Sequence, residues 1–370
     1  MKVGVLTSSR ADYGIYLPLI QKLEKDTFFS LEIIAFGTHL SQSNGYTLNE
    51  IKKDGYTKIH TISSLISNDD TESIATSYGL TVLKFANFWT ENKYDLVFCL
   101  GDRFEMSAAV QAGIPNGVRF AHIHGGETTL GAIDNVYRHQ ITLASAIHFT
   151  ATEIFKNKVS KLIESTENIY SIGSLSLDNI HSFIPIDKKT FFDTFSIPEN
   201  EYALVTVHPE TVSLNDNYKF AREIINALKE LSKKLFIVIT MPNADTLGSI
   251  YRDEIEQLKK ELPNRILLIE NFGKNNYFSA MHYAKILIGN TSSGILEAAS
   301  FGKYVVNVGD RQKGRVQSEN IFNCTFDEKQ IITQTEKALL KGNFEGENVY
   351  FKENATDSII KILKGILLSK

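Results

Sequence analysis

Between Leu100 and His139 the chain carries Asp102, Arg103, His124, Glu127, Asp134, Arg138 and His139, with Gly101, Gly125 and Gly126 among them. Carboxylates, imidazoles and guanidiniums at this density suit proton transfer next to a negatively charged group. An enzyme separates acid from base by giving neighbouring titratable groups different surroundings, and arginines supply fixed positive charge for a leaving group. Asp102, His124, Glu127 and Asp134 are therefore the candidate catalytic residues of this stretch. The plainer reading of Asp134 and Arg138 is a helical i, i+4 ion pair, worth about 0.2–0.5 kcal/mol. The carboxylates follow no metal-ligand spacing and the arginines already provide the charge, so neither a metal nor a cofactor is expected.

These residues need strand ends to hold them. The apolar run Leu96–Leu100 reads as a buried parallel strand that stops at Gly101-Asp102-Arg103, and the run Val118–Ile123 stops in the same way at His124-Gly125-Gly126-Glu127. In open α/β sheets ligands bind outside the carboxyl ends of strands, so two adjacent ends converge on one pocket. Further runs at Lys2–Thr7, Leu31–Phe36, Lys58–Ile62, Ala146–Thr150 and Ile169–Ile172 alternate with helical stretches, which implies a parallel sheet with crossover helices. In the helix read at about 70–92, the spacing of Ile74, Tyr78, Val82, Phe85 and Trp89 predicts the buried face. A second series follows the polar, proline-bracketed stretch near 182–200: Tyr202–Thr206, Leu235–Thr240, Ile266–Ile269, Ile286–Gly289 and Tyr304–Val308.

At 370 residues, two lobes of roughly 150–200 residues each are expected. They are placed at 1–180 and 181–353, with an amphipathic terminal helix at 354–370 returning to the first lobe. A net charge of -4 leaves no footprint for nucleic acid, no apolar stretch approaches the ~20 residues that span a bilayer, and the opening MKVGVLTSSR runs directly into a strand. The expectation is a cytoplasmic protein without a membrane segment. Cys99 and Cys324, the two cysteines, show neither disulfide nor zinc spacing.

The second series carries its own polar strand ends. Gly289-Asn290-Thr291-Ser292-Ser293-Gly294 leads into a helix, where free amides and hydroxyls at a helix start favour an anion, and Glu297 one turn on suits a ribose diol. Arg311, Lys313 and Arg315 follow the next strand, so these loops look like a nucleoside diphosphate site. His208 and Asn243 each stand just past a strand and are read as functional, whereas His60, His148, His181 and His282 are read as structural. After the first strand, Ser8–Gly14 takes a phosphate-loop position without the dinucleotide or Walker glycines. Arg10 there is read as a diphosphate contact, against the alternative of a surface pair with Asp12.

On these residues the chain resembles the UDP-N-acetylglucosamine 2-epimerase family, in particular its hydrolysing branch, which feeds sialic and legionaminic acid biosynthesis. The likeness runs through SRADYG, GTHLS, LGDRFE, HIHGGE, GAIDNVYRHQIT, GNTSSGILEA and GDRQKGR, nearly end to end. It implies two Rossmann-like lobes of the GT-B type, an active site in the interlobe cleft, and a homodimer or homotetramer. It implies a UDP-activated 2-acetamido sugar as substrate, with Arg10, Arg103, His208, Asn243, Ser292, Glu297 and Arg311 near UDP and Asp102 and Asp134 at the sugar. Thr291, Ser293 and Gly294 belong to the same nucleotide loop. The non-hydrolysing branch favours a threonine-rich run where Arg103-Phe104 stands and an arginine pair where Pro209-Glu210 stands. Sialic-acid members carry Glu at the His124 position and a shorter loop before the aspartate. The HIHGGE form resembles members that act on 2,4-diacetamido-2,4,6-trideoxy sugars. The implied reaction removes the C2 proton and expels UDP to give a 2-acetamidoglycal, then hydrates it with inversion at C2. The competing readings are a non-hydrolysing epimerase, a GT-B glycosyltransferase, and a nucleotide-sugar sensor without turnover.

Overall fold

The computed structural model describes residues 1–43, 45–66, 68, 70–210, 212, 214–242 and 247–368. It divides into two units, one of residues 1–127, 134–179 and 350–370, the other of residues 128–133 and 180–349. The lobe boundary expected at 180 puts 128–133 in the first lobe; the short segment packs within the second unit.

The first unit is built on β1 (Lys2–Thr7), β2 (Ser30–Phe36), β3 (Ile59–Ile62), β4 (Leu96–Leu100), β5 (Phe120–Ile123), β6 (Ile147–Thr150) and β7 (Ile169–Ser171). All pair in parallel, in the order β3-β2-β1-β4-β5-β6-β7. The chain winds outward from β1 to β3, returns to lay β4 beside β1, and winds outward the other way. The switch point therefore lies between β1 and β4, whose loops run to opposite faces and leave a crevice at their carboxyl ends. Both faces of the sheet are covered, which is why its strands are continuously apolar. Val5, Ile33, Phe98 and Phe149 pack on Tyr16, Leu19 and Ile20 of the helix Arg10–Lys25 and on Ile359 and Leu363 of the helix Ala355–Leu368. The ion pairs Lys22–Asp357 (2.5 Å) and Lys364–Asp26 (2.6 Å) flank the terminal helix. Leu6, Ile34, Val97 and Phe120 point to the other face, against Phe85, Trp89, Met106 and Val110.

In the helix Thr71–Glu91 the buried stripe is Ser73, Ser77, Thr81, Phe85 and Trp89. Phe85 and Trp89 are core as the spacing predicts, but Ile74, Tyr78 and Val82 lie one position off the buried line. The first half of the helix presents hydroxyls because a loop lies close against it: Ser64 and Thr81 hydroxyls are 2.7 Å apart and Ile66 N donates to Ser77 Oγ at 2.9 Å.

The second unit repeats the plan with β8 (Tyr202–Thr206), β9 (Phe236–Thr240), β10 (Ile266–Ile269), β11 (Ile286–Gly289), β12 (Val305–Val308) and β13 (Ile321–Cys324), in the order β10-β9-β8-β11-β12-β13. Its switch point is β8/β11. The close approach there demands glycine: at φ +136°, any Cβ on Gly289 would overlap the Thr206 carbonyl. The edge strand β13 has no counterpart in the sequence reading, since Ile-Phe-Asn-Cys is only partly buried and shows little apolar signal. Among the described residues no helix is long and apolar enough to cross a membrane.

Trp89 is fully buried and its Nε1 donates to Ala109 O at 2.9 Å. Trp89→Ala should therefore cost about 3–5 kcal/mol of unfolding free energy in urea titrations; a loss below about 1 kcal/mol would contradict this packing.

Candidate active site

In the first unit the end of β5 turns sharply. His124 takes a left-handed backbone, φ +65°, uncommon for a residue with a side chain, and its ring is buried. Its Nδ1 lies 2.6 Å from Glu127 Oε1, its Nε2 lies 3.4 Å from Ser174 Oγ, and its ring is 5% exposed. Arg138, one turn into the helix Asp134–Ala144, is 1% exposed. Its Nη1 donates to His124 O at 2.9 Å and lies 3.9 Å from Glu127 Oε2, while Nη2 donates to Asp102 Oδ2. Asp102, His124 and Glu127, drawn from two strand ends, are thus joined through one buried guanidinium. Asp134 opens the helix that carries Arg138. An exposed Asp134/Arg138 pair is not what forms: Arg138 is an interior residue bonded across to the β4 loop. A lone guanidinium could not be buried there, and the two carboxylates and the carbonyl are what make the position tenable.

The loops that follow β1 and β2 meet: Thr38 N and Oγ1 both donate to Ser8 O, at 2.9 and 3.1 Å. Asp12 is buried and accepts from Ser8 N at 2.9 Å and Ser8 Oγ at 2.7 Å, so its carboxylate serves the loop Ser8–Arg10. The Arg10/Asp12 surface pair is thereby replaced by an internal loop lock. Arg103 Nη2 donates to Glu105 Oε1 at 2.9 Å. Behind them His39, within the GTHLS stretch but assigned no role from sequence, is buried between the hydroxyls of Thr7 and Thr47, each at 2.8 Å. Burial pushes His39 down to about 4, with Arg103 and Arg10 adding to the shift and Asp12 opposing it. His122, on β5 itself, is pushed down to about 3 by burial, its Nε2 2.9 Å from Gly101 O. His148 falls to about 4 for the same reason.

In the second unit Asn290, fully buried, locks two strand ends together. Its Oδ1 accepts from His208 N at 2.7 Å and its Nδ2 donates to His208 O at 2.8 Å. Arg311 Nη1 donates to Pro209 O at 2.8 Å, and Gln312 Nε2 donates to Asn290 O at 2.7 Å. Glu210 accepts from Asp310 N at 2.5 Å; burial raises its carboxyl above the usual range. The loop that follows β12 is thus held against the ends of β8 and β11. Thr291 precedes the helix Ser292–Leu296 with extended backbone, and Glu297 closes it, buried. Gly294 lies within that turn beside Val305, and burial, with the Glu297 charge adding to it, pushes the nearby Tyr277 hydroxyl upward. His208, Thr291, Ser292, Ser293, Gly294, Glu297 and Arg311 all fall in this one region. Segment 128–133 joins it: Leu130 N donates to Lys313 O at 2.9 Å and Gly131 packs so closely on Asp310 and Arg311 that a Cβ would meet their backbone at 2.5–2.7 Å. Asn243 lies outside the described residues. Among the described residues no group of three or more His, Cys, Asp or Glu is arranged to hold a metal ion.

Two doubly wound parallel sheets, with carboxylates at the strand ends of one and a hydroxyl-rich helix start at those of the other, define a nucleotide-sugar enzyme. A family model described as UDP-N-acetylglucosamine 2-epimerase matches residues 21–364, and the chain belongs to that family. It is 33% identical over 88% of its length, and 85% of the relative's, to the GDP/UDP-N,N'-diacetylbacillosamine 2-epimerase (hydrolyzing) of Campylobacter jejuni. It is 31% identical over 99% of its length, and 96% of the relative's, to the UDP-N,N'-diacetylbacillosamine 2-epimerase (hydrolyzing) of Legionella pneumophila. Its fold is shared with the UDP-GlcNAc 2-epimerase of Neisseria meningitidis solved with UDP-GlcNAc bound, at a TM-score of 0.83, 19% identity and coverage of 99% of this chain and 100% of that one.

The buried histidines give a pH prediction. In the unfolded chain they protonate near 6.5, whereas His122 in the fold resists protonation until about 3. The unfolded state therefore binds more protons between those values, and stability present above about pH 6.5 is lost as pH falls, by up to about 1.4 kcal/mol per unit for one such group. Urea midpoints at pH 7.5 and 5.5 should differ less in His122→Gln than in the wild type. An unchanged pH dependence would contradict the assignment.

Proposed function

We propose that the chain is a hydrolysing UDP-sugar 2-epimerase whose preferred substrate is UDP-N,N'-diacetylbacillosamine, the 2,4-diacetamido-2,4,6-trideoxy sugar, with UDP-N-acetylglucosamine as the second candidate. The observation that carries this reading is the 31–33% identity, over nearly the whole chain, to two relatives named for hydrolysing that substrate. The HIHGGE stretch and Pro209-Glu210 agree with it. A similar degree of identity, 31% over 100% of this chain and 95% of the relative, to the polysialic acid biosynthesis protein P7 of Escherichia coli supports a place in nonulosonic acid synthesis; a cytoplasmic location and a homodimer or homotetramer are part of the same proposal.

The chemistry follows from what the residues can supply. A C2 proton beside no carbonyl is weakly acidic, so its removal must be coupled to stabilisation of the departing diphosphate. Thr291, Ser292, Ser293 and Gly294 at a helix start are assigned to UDP with Arg311, and so, by the family resemblance, are Arg10 and Arg103; Glu297 is assigned to its ribose. Asp102 and Asp134 are assigned the two proton transfers. One removes the C2 proton as the C1–oxygen bond breaks and UDP leaves, and a proton then returns to C2 from the opposite side while water adds at C1. One water is consumed, and the free manno-configured sugar and UDP are released. Glu127 is linked to Asp102 through Arg138, and His208 is assigned to the nucleotide end.

Product analysis by NMR in deuterated water tests the reaction. The expected product is a manno-configured free sugar with deuterium at C2, formed without any acceptor and faster from the diacetamido substrate than from UDP-N-acetylglucosamine. Unlabelled gluco-configured sugar would indicate simple hydrolysis, and UDP release only on adding an acceptor would indicate a transferase. Asp102→Asn and Asp134→Asn should each lower turnover by roughly 10²–10⁴ while still binding UDP. Arg311→Ala should weaken UDP binding by about 1.5–3 kcal/mol in calorimetry, and wild-type affinity would remove Arg311 from the site.

A further inference from the structure

His124 is bonded on both ring nitrogens. Glu127 sits 2.6 Å from Nδ1, and Ser174 Oγ sits 3.4 Å from Nε2. Ser174 Oγ is in turn 2.9 Å from Ser176 Oγ, and all four residues are buried. An ionised carboxylate can only accept, so Nδ1 must carry the proton toward Glu127. With a neutral ring Nε2 is then an acceptor, and a hydroxyl must donate to it. Ser174 can do so, and its oxygen is then free to accept from the Ser176 hydroxyl 2.9 Å away. The backbone fixes this hydroxyl as well: Ser174 N donates to Tyr350 O at 2.9 Å, where the chain returns to the first unit. The charged and titratable groups around His124 include His122 on β5, whose imidazole His124 helps to push down, and Arg138, which donates to the His124 carbonyl. Lys158, from the helix Glu153–Ile163, faces Glu127.

We propose that Ser174 and Ser176 are positioning residues of the epimerase site: they hold His124 in one tautomer and one orientation, and His124 through that tautomer aims Glu127. His124 is then itself a positioning residue, with neither nitrogen directed at substrate. This goes beyond the assignment of His124 to catalysis on sequence grounds, and it rests on the proposed epimerase reading only for its kinetic arm. The ring that a hydroxyl pins at one nitrogen presents a fixed proton at the other, which is how a second hydrogen bond sets the tautomer of a working histidine.

The test compares full-length wild type, Ser174→Ala and Ser174→Thr. Ring-nitrogen NMR of His124, assigned with His124→Gln, should show a protonated Nδ1 and a hydrogen-bonded acceptor Nε2 in the wild type. In Ser174→Ala the Nε2 signal should move toward that of a free acceptor or a tautomer mixture. Turnover should fall about 10-fold, the effect of one lost buried hydrogen bond, with KM within about two-fold and UDP affinity unchanged. Ser174→Thr keeps the hydroxyl and should recover both the NMR signature and most of the rate. An unchanged ring spectrum in Ser174→Ala would overturn the proposal, and so would Ser174→Thr as impaired as Ser174→Ala, which would make side-chain volume the cause. A wild type that turned over no UDP-sugar would sink the epimerase reading and leave the tautomer test to decide this proposal by itself.

Discussion

The first unit's site depends on burying one guanidinium. Arg138 is withdrawn from water almost completely, and a cation in that position is tolerable only if its partners are fixed before the charge arrives. Those partners are Asp102 from the end of β4, the carbonyl of His124 from the end of β5, and Glu127 three residues further on. None is adjacent to Arg138 in sequence, so the sheet register that aligns Leu100 with Ile123 is a precondition of the ion pair. Removing one partner of such a pair costs about 3–5 kcal/mol, chiefly because the other is left buried and uncompensated. The carboxylates are consequently held in one arrangement, and the remaining hydroxyls and imidazoles arrange themselves around it.

On the proposed reading the second unit has a different task, holding an anion without a dedicated positive residue at every contact. Asn290 ties the His208 backbone to the strand end at Gly289, and Gln312 ties the loop after β12 to Asn290. That leaves the hydroxyls from Thr291 to Ser293 at the start of a short helix, with Arg311 braced on Pro209. The helix has only five residues, so its dipole adds little. The local amides, hydroxyls and guanidinium carry the electrostatics. Residues 128–133 pack into this same unit, although Glu127 and Asp134 on either side of them belong to the other.

Much of this was legible in the residues because it is written in strong local signals. Leu96–Leu100 and Ile286–Gly289 are uninterrupted apolar runs ending in glycine and polar groups, and parallel strands buried on both faces produce that pattern. The edge strand Ile321–Cys324 gave no such signal, being half-buried with an exposed Asn323. The buried face of the helix Thr71–Glu91 departs from its hydrophobic spacing in the first half, because close helix–loop approach there selects Ser and Thr. For Arg138 the spacing offers a helical partner in Asp134 or a fixed charge for a leaving group, not a tie between two strand ends. An i, i+4 spacing looks the same whether the pair faces water or one member reaches across a sheet, and only the fold distinguishes them. His124 is buried with a left-handed backbone at a non-glycine residue, for which the sequence carries no marker.

The central claim is that Arg138 and Asp102 act as one unit. A double-mutant cycle on turnover with Asp102→Asn and Arg138→Lys tests it most directly, since Lys keeps the charge but cannot reach Asp102, the His124 carbonyl and Glu127 together. The account predicts strong non-additivity, with the double variant no slower than the worse single variant by more than a few-fold. Losses that simply multiply would show two independent residues and contradict it.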